Sequence, residues 1–74
     1  MNSPPVPRIP VQSSLLASVG YSIDETLDLE FLSGAVYRYF AVPHAVFEDL
    51  IAAQSKGGYF NRNVRSRFPY QRLA

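Results

Sequence analysis

The sequence predicts a small α+β domain. A three-stranded antiparallel meander is followed by a helix packed on one face, then a short helical turn and a C-terminal tail able to add a short fourth strand. Three observations carry this reading. Residues 26–31 alternate strictly, with Leu27, Leu29 and Phe31 against Asp28 and Glu30, the period of a half-buried strand. Residues 36–42 form the densest β-branched and aromatic run in the chain. Residues 43–54 place Val46, Phe47, Leu50, Ile51 and Ala53 at helical spacing, with His44, Glu48 and Asp49 on the other side.

The 74 residues allow one domain with a modest core. Five Tyr and five Phe, with no Trp, must supply much of that core. The absence of Cys removes disulfides and thiolate metal sites, and a single His removes a multi-His site, so no cofactor or metal is expected. No apolar run approaches the roughly 20 residues of a membrane-spanning helix, and no signal-peptide core opens the chain. A soluble, cytoplasmic protein without membrane contact is the expectation.

Taken in order, residues 1–11 read as a disordered Pro-rich leader, and residues 12–74 as the single domain. Pro4, Pro5, Pro7 and Pro10 make the leader unfit to join a sheet. Residues 13–21 form strand one, with Leu15, Ala17, Val19 and Tyr21 on one side and Leu16, Ser18 and Gly20 on the other. Residues 22–26 are a polar turn, and residues 26–32 form strand two, with Asp28 and Glu30 facing solvent.

The Ser33-Gly34 signal closes a hairpin with strand three, and the loop length sets its register. A two-residue loop, Ser33-Gly34, opposes Leu29 to Arg38 and turns Tyr37 and Tyr39 outward as a stacking platform. A three-residue loop, 33–35, opposes Glu30 to Arg38 and Leu29 to Tyr39. The second is preferred because it keeps an unpaired Arg out of the core, which places the two tyrosines inward with their hydroxyls at an edge. Gly57-Gly58 is expected to stop the helix. Beyond it, Phe60, Val64 and Phe68 are four apart and align on one side of a helical turn that Pro69 ends.

The motif set resembles the KTSC domain family. The carriers are S-S-x-x-A-S-V-G-Y at 13–21, T-L-x-L-x-F at 26–31, S-G-x-V-Y-R-Y at 33–39 and V-P at 42–43. They continue as S-K-G-x-Y-F-N at 55–61 and R-x-R-F-P-Y at 65–70. The resemblance spans about residues 13–73. It implies a small bacterial or phage protein, or a module at the C-terminus of some lysyl-tRNA synthetases. It also implies a connection with RNA through that context, and it brings no catalytic residues with it.

The charge is split. Residues 1–55 carry Arg8 and Arg38 against six acids, a net −4. Residues 56–74 carry Lys56, Arg62, Arg65, Arg67 and Arg72 with no acid, a net +5. Two readings fit: an anionic partner, or a segment that folds back on the acidic helix and hairpin. The first gives a nucleic-acid-binding module, with RNA as partner. Those five cations would lie on phosphates, and Tyr59 and Tyr70 would be available for stacking. The alternative is a protein-interaction or assembly module, such as a homodimer formed through a sheet edge or exposed aromatics. An enzyme with a small-molecule substrate is not expected. There is no Walker or Gly-rich cofactor loop, and the paired acids Asp24-Glu25 and Glu48-Asp49 are adjacent rather than opposed. His44 reads as a solvated residue in the first helical turn.

Overall fold

The structure, a computed structural model, describes residues 7–74. One antiparallel sheet runs β1 (Ile9–Pro10), β2 (Leu16–Tyr21), β3 (Leu27–Phe31), β4 (Val36–Tyr39) and β5 (Tyr70–Arg72), with spatial order equal to chain order. Two helices, α1 (His44–Ala52) and α2 (Lys56–Asn63), come between β4 and β5. The expected meander, packed helix and fourth strand are all present, the last as β5. The core is Leu16, Val19, Leu27, Leu29, Tyr39, Val42, Leu50, Phe60 and Val64, all buried.

Strand β1 departs from the reading of residues 1–11 as a leader unfit to join a sheet. Ile9 and Pro10 pair with Val19 and Ser18. A proline lacks only the amide hydrogen, and on an edge strand that hydrogen need not enter the ladder. Val11 then donates to the Ala17 carbonyl (3.1 Å), extending the contact. The rest of the leader, residues 1–6, lies outside the described residues.

Strand β2 departs from strict alternation. The register shifts between Leu16 and Ser18, so Leu16 and Val19, three apart, are both fully buried. The extra residue of a β-bulge produces that spacing.

The β3–β4 hairpin has the expected facing but a different register. Leu27 pairs with Tyr39, Asp28 with Arg38, Leu29 with Tyr37 and Glu30 with Val36. The loop is three residues, but they are 32–34, because Phe31 N–H donates to the Ala35 carbonyl (2.9 Å). Gly34 at φ +96° supplies the left-handed position such loops need at their third residue. Shifting the pairing by two residues leaves every side chain on its expected face and changes the partners. Arg38 therefore meets Asp28, not Glu30.

Asp28 is consequently not a solvated acid. It accepts two bonds from Arg38, Nε to Oδ1 at 2.8 Å and Nη2 to Oδ2 at 2.9 Å. The side chains are 2 % and 17 % exposed. The pair holds the Arg38 guanidinium above its ordinary pKa, chiefly through this hydrogen bonding. Glu30 instead accepts from the Ser18 hydroxyl (2.8 Å).

Helix α1 ends before the glycine pair. Gly57 and Gly58 lie inside α2, whose N-cap is Ser55, with its hydroxyl accepting from Gly58 N–H (3.1 Å). Gly57 eases a close approach: a Cβ there would stand 3.1 Å from Leu15 Cβ, so that Leu15 would have to shift by a few tenths of an ångström. The first turn of α2 thus packs directly on the segment leading into β2.

Candidate functional site

Both helices cover the same face of the sheet, and both are short, so they cover it unevenly. Helices of nine and eight residues extend only about 12–14 Å each. Over β2 and most of β3 the cover is close, and Val19, Leu27 and Leu29 have no exposure, while Phe31 at the end of β3 is half-buried. On the α1 side Tyr21 stacks on Phe47 (centroids 5.0 Å, 12°) and donates its hydroxyl to the Val42 carbonyl (2.6 Å).

Over β4 and β5 the cover thins: Tyr39 is still buried, Tyr37 is half-buried and Tyr70 is exposed. Cross-strand pairing aligns Leu27, Tyr39 and Tyr70 in one row and Leu29, Tyr37 and Arg72 in the next. Each row runs from buried aliphatic to tyrosine to an exposed residue at the edge. Between these rows and the end of α2 lies an open groove of about 810 Å³. Its floor is Tyr37, Tyr39, Tyr70 and Phe31, with Phe60 of α2 closing the helix side. The rings form a continuous cluster. Tyr70 contacts Tyr37 and Tyr39 at 5.6 Å each, and Phe60 meets Phe31 (5.3 Å, 75°) and Tyr39 (5.9 Å, 75°) edge-on.

The groove rim is polar and has one sign of charge. Asn61, Ser66 and Ser33 line it along with Arg65, and no carboxylate does. Arg65 is fixed in place just past the helix end, where its N–H donates to the Phe60 carbonyl (3.0 Å). No buried polar side-chain atom among the described residues lacks a partner. Burial pushes the Tyr39 phenol up, Tyr37 and Tyr70 add to the rise, and Arg65 opposes it.

The residues singled out from sequence divide into three groups. Arg65 and Tyr70 line the groove, and Arg72 lies beside it. Tyr70 is 59 % exposed there, and the Arg72 guanidinium carbon lies 5.8 Å from the centre of the Tyr37 ring. Arg62 and Arg67 are exposed on the same segment outside the lining. Lys56 and Tyr59 belong elsewhere. Lys56 Nζ donates to the Ala53 carbonyl (3.1 Å), capping the end of α1. Tyr59 is half-buried against the core, and burial followed by the nearby Asp49 raises its phenol.

Phe31, Asn61 and Ser66 line the groove without having been singled out from sequence, and Tyr37 and Tyr39 had been weighed as a stacking platform only in the two-residue register. The available signal was the pair Tyr37-x-Tyr39 itself. Its inward facing was legible; that Tyr39 is buried while Tyr37 is only half-buried was not.

Among the described residues no group of three His, Cys, Asp or Glu could hold a metal ion. Nor is any helix long and apolar enough to cross a membrane.

Comparison with known proteins sharpens the picture. The family model described as the KTSC domain matches residues 12–68. A lysine–tRNA ligase of Trichormus variabilis is 41 % identical over 69 residues, covering 92 % of this chain. The chain spans only 12 % of the length of that enzyme. A protein of Tsukamurella paurometabola is 45 % identical over 60 residues, 80 % of this chain and 90 % of that one. Among solved structures, the crystal structure of a KTSC domain protein from Yersinia pestis superposes with a TM-score of 0.90 at 28 % identity. It covers 95 % of this chain and all of the other.

Proposed function

The chain belongs to the KTSC domain family, and from that premise we propose that it is a non-catalytic RNA-binding module. Its contact surface is the segment from Arg62 to Arg72 together with the tyrosine groove. The observation that carries this reading is the groove's composition: an aromatic floor, a neutral polar rim and a guanidinium, with no carboxylate. Stacking surfaces beside Arg side chains suit unpaired bases and phosphates, because every base has a π-face and Arg binds phosphate through two N–H groups. Exposed Arg62 and Arg67 extend the positive surface beyond the groove. The similarity to a lysine–tRNA ligase, in a module spanning a small part of that enzyme, supports the same direction.

Assembly with a protein partner or a second copy is the alternative, favoured by exposed Tyr70 and Leu73 at the β5 edge. Strand addition there is poorly supported, since β5 has three residues and the opposite edge, β1, has two with a proline.

The test is fluorescence anisotropy with a labelled single-stranded RNA across a salt series. RNA binding loses affinity with a log–log slope of about −0.7 per phosphate contacted. Arg62→Ala combined with Arg65→Ala should remove most of the affinity at an unchanged circular dichroism spectrum. Absence of RNA binding at low salt sinks the proposal. Salt-insensitive self-association would favour the assembly reading instead.

A further inference from the structure

We infer that the tyrosine groove is a slot for a single unpaired nucleobase, with Tyr70 as the stacking surface and Arg65 holding the adjoining phosphate. This rests on the RNA-binding reading and deepens it: the module would select single strands, loops or ends over duplex.

The geometry favours one base rather than a length of backbone. Tyr70 is buttressed from the β4 side by two rings, Tyr37 and Tyr39, each 5.6 Å away and tilted to it by 51° and 40°, yet it is 59 % exposed. A ring supported on one side and free on the other is pre-organised for stacking, so little side-chain entropy is lost on binding. Arg72 already lies by Tyr37, 5.8 Å from its ring centre, leaving Tyr70 as the more available surface.

The polar groups match the same ligand. Asn61, Ser33 and Ser66 offer neutral donors and acceptors, the complement of a base edge. Arg65 is the one cation of the lining, enough for one phosphodiester. A base stacked and paired within a duplex presents no free face, so it cannot enter; an unstacked base can.

The experiment compares four ligands on the wild-type chain by anisotropy competition: an unstructured RNA heptamer, its DNA counterpart, an abasic heptamer of the same charge, and an RNA duplex. The heptamer should outcompete the abasic strand by roughly tenfold, the scale of one stacked base, and should also outcompete the duplex. RNA and DNA heptamers binding alike would assign recognition to the base and phosphate, and a preference for RNA would add a 2′-hydroxyl contact; both outcomes retain the slot. Tyr70→Ala should erase the difference between heptamer and abasic strand, whereas Tyr70→Phe should keep most of it.

Equal affinity for heptamer and abasic strand overturns the slot while leaving RNA binding in place. So does a duplex that binds as tightly as the single strand. Failure of every ligand at low salt removes both proposals. The abasic comparison needs no variant, so it holds whatever Tyr70→Ala does to folding.

Discussion

The helix-facing surface of the sheet has two halves built from the same strand pattern, and they end in opposite states. Over β2 and β3, Val19, Leu27 and Leu29 are completely buried. Over β4 and β5, the same rows continue as Tyr37, Tyr39, Tyr70 and Arg72 around an open groove. The difference lies in what sits above, not in the strands. The helices are too short to span five strands, and the chain puts tyrosine where the cover thins. A phenol tolerates that position because its ring packs while its hydroxyl meets water. The closed half provides stability, and the open half keeps an ordered aromatic surface accessible.

Substitutions on the two halves should separate these roles. The largest effect belongs to the closed half. Leu29→Ala empties a fully buried site and should cost about 3–4 kcal/mol in urea unfolding. That is a large part of the roughly 4–11 kcal/mol expected of a chain this size. A loss below about 1 kcal/mol would mean that the closed half is looser than its burial indicates.

Next comes the opposite face of the sheet. Asp28→Asn leaves Arg38 without its bidentate carboxylate and should cost about 2–3 kcal/mol, near the lower end for a buried pair because the Arg is partly exposed. Glu30→Gln, which changes a residue not paired with Arg38, serves as the control and should cost less.

On the open half the effect should move from stability to binding. Arg65→Ala should change the unfolding free energy by no more than about 0.5 kcal/mol, and it should flatten the salt slope of RNA binding by about 0.7. An unchanged slope would remove Arg65 from the contact surface.

The smallest effect is alkaline. Burial raises the Tyr39 phenol above its ordinary value near 10. A phenol whose folded pKa is raised stabilises the fold fully below the unfolded pKa, and that contribution is lost as pH climbs through the folded one. Tyr39→Phe should therefore reduce the loss of stability above about pH 10, read from thermal midpoints between pH 8 and 11. An identical alkaline profile would show that Tyr39 does not set it.

How much of this was legible in the sequence differs between the same two halves. Leu27, Leu29 and their helical counterpart Leu50 follow directly from periodicity, because a covered face leaves a strict pattern. The outward facing of Arg38 followed from the cost of burying it unpaired. Its partner did not, because Leu32 belongs to the loop despite its hydrophobicity, and the left-handed Gly34 closes that loop.

Other misses have the same local origin. The bulge in β2 put Leu16 in the core against strict alternation. Ser55 capped a helix over a glycine pair that read as a stop. An edge position accommodated Pro10. The groove was the least legible feature. Whether Tyr37 and Tyr39 face inward is a question of parity, whereas how far each is covered depends on where two helices end in space: Tyr39 is buried and Tyr37 half-buried. Of the basic residues singled out, Arg65 lines the groove, while Lys56 caps α1.

The most direct test of the central claim is amide and aromatic chemical-shift mapping of the wild-type chain with an unstructured RNA heptamer at low salt. The open half should respond: Tyr37, Asn61, Arg65 and Tyr70 should shift most, while Val19, Leu29 and the Asp28–Arg38 pair stay still. Largest shifts at Asp28 and Arg38 or along α1, or no shifts at all, would contradict it.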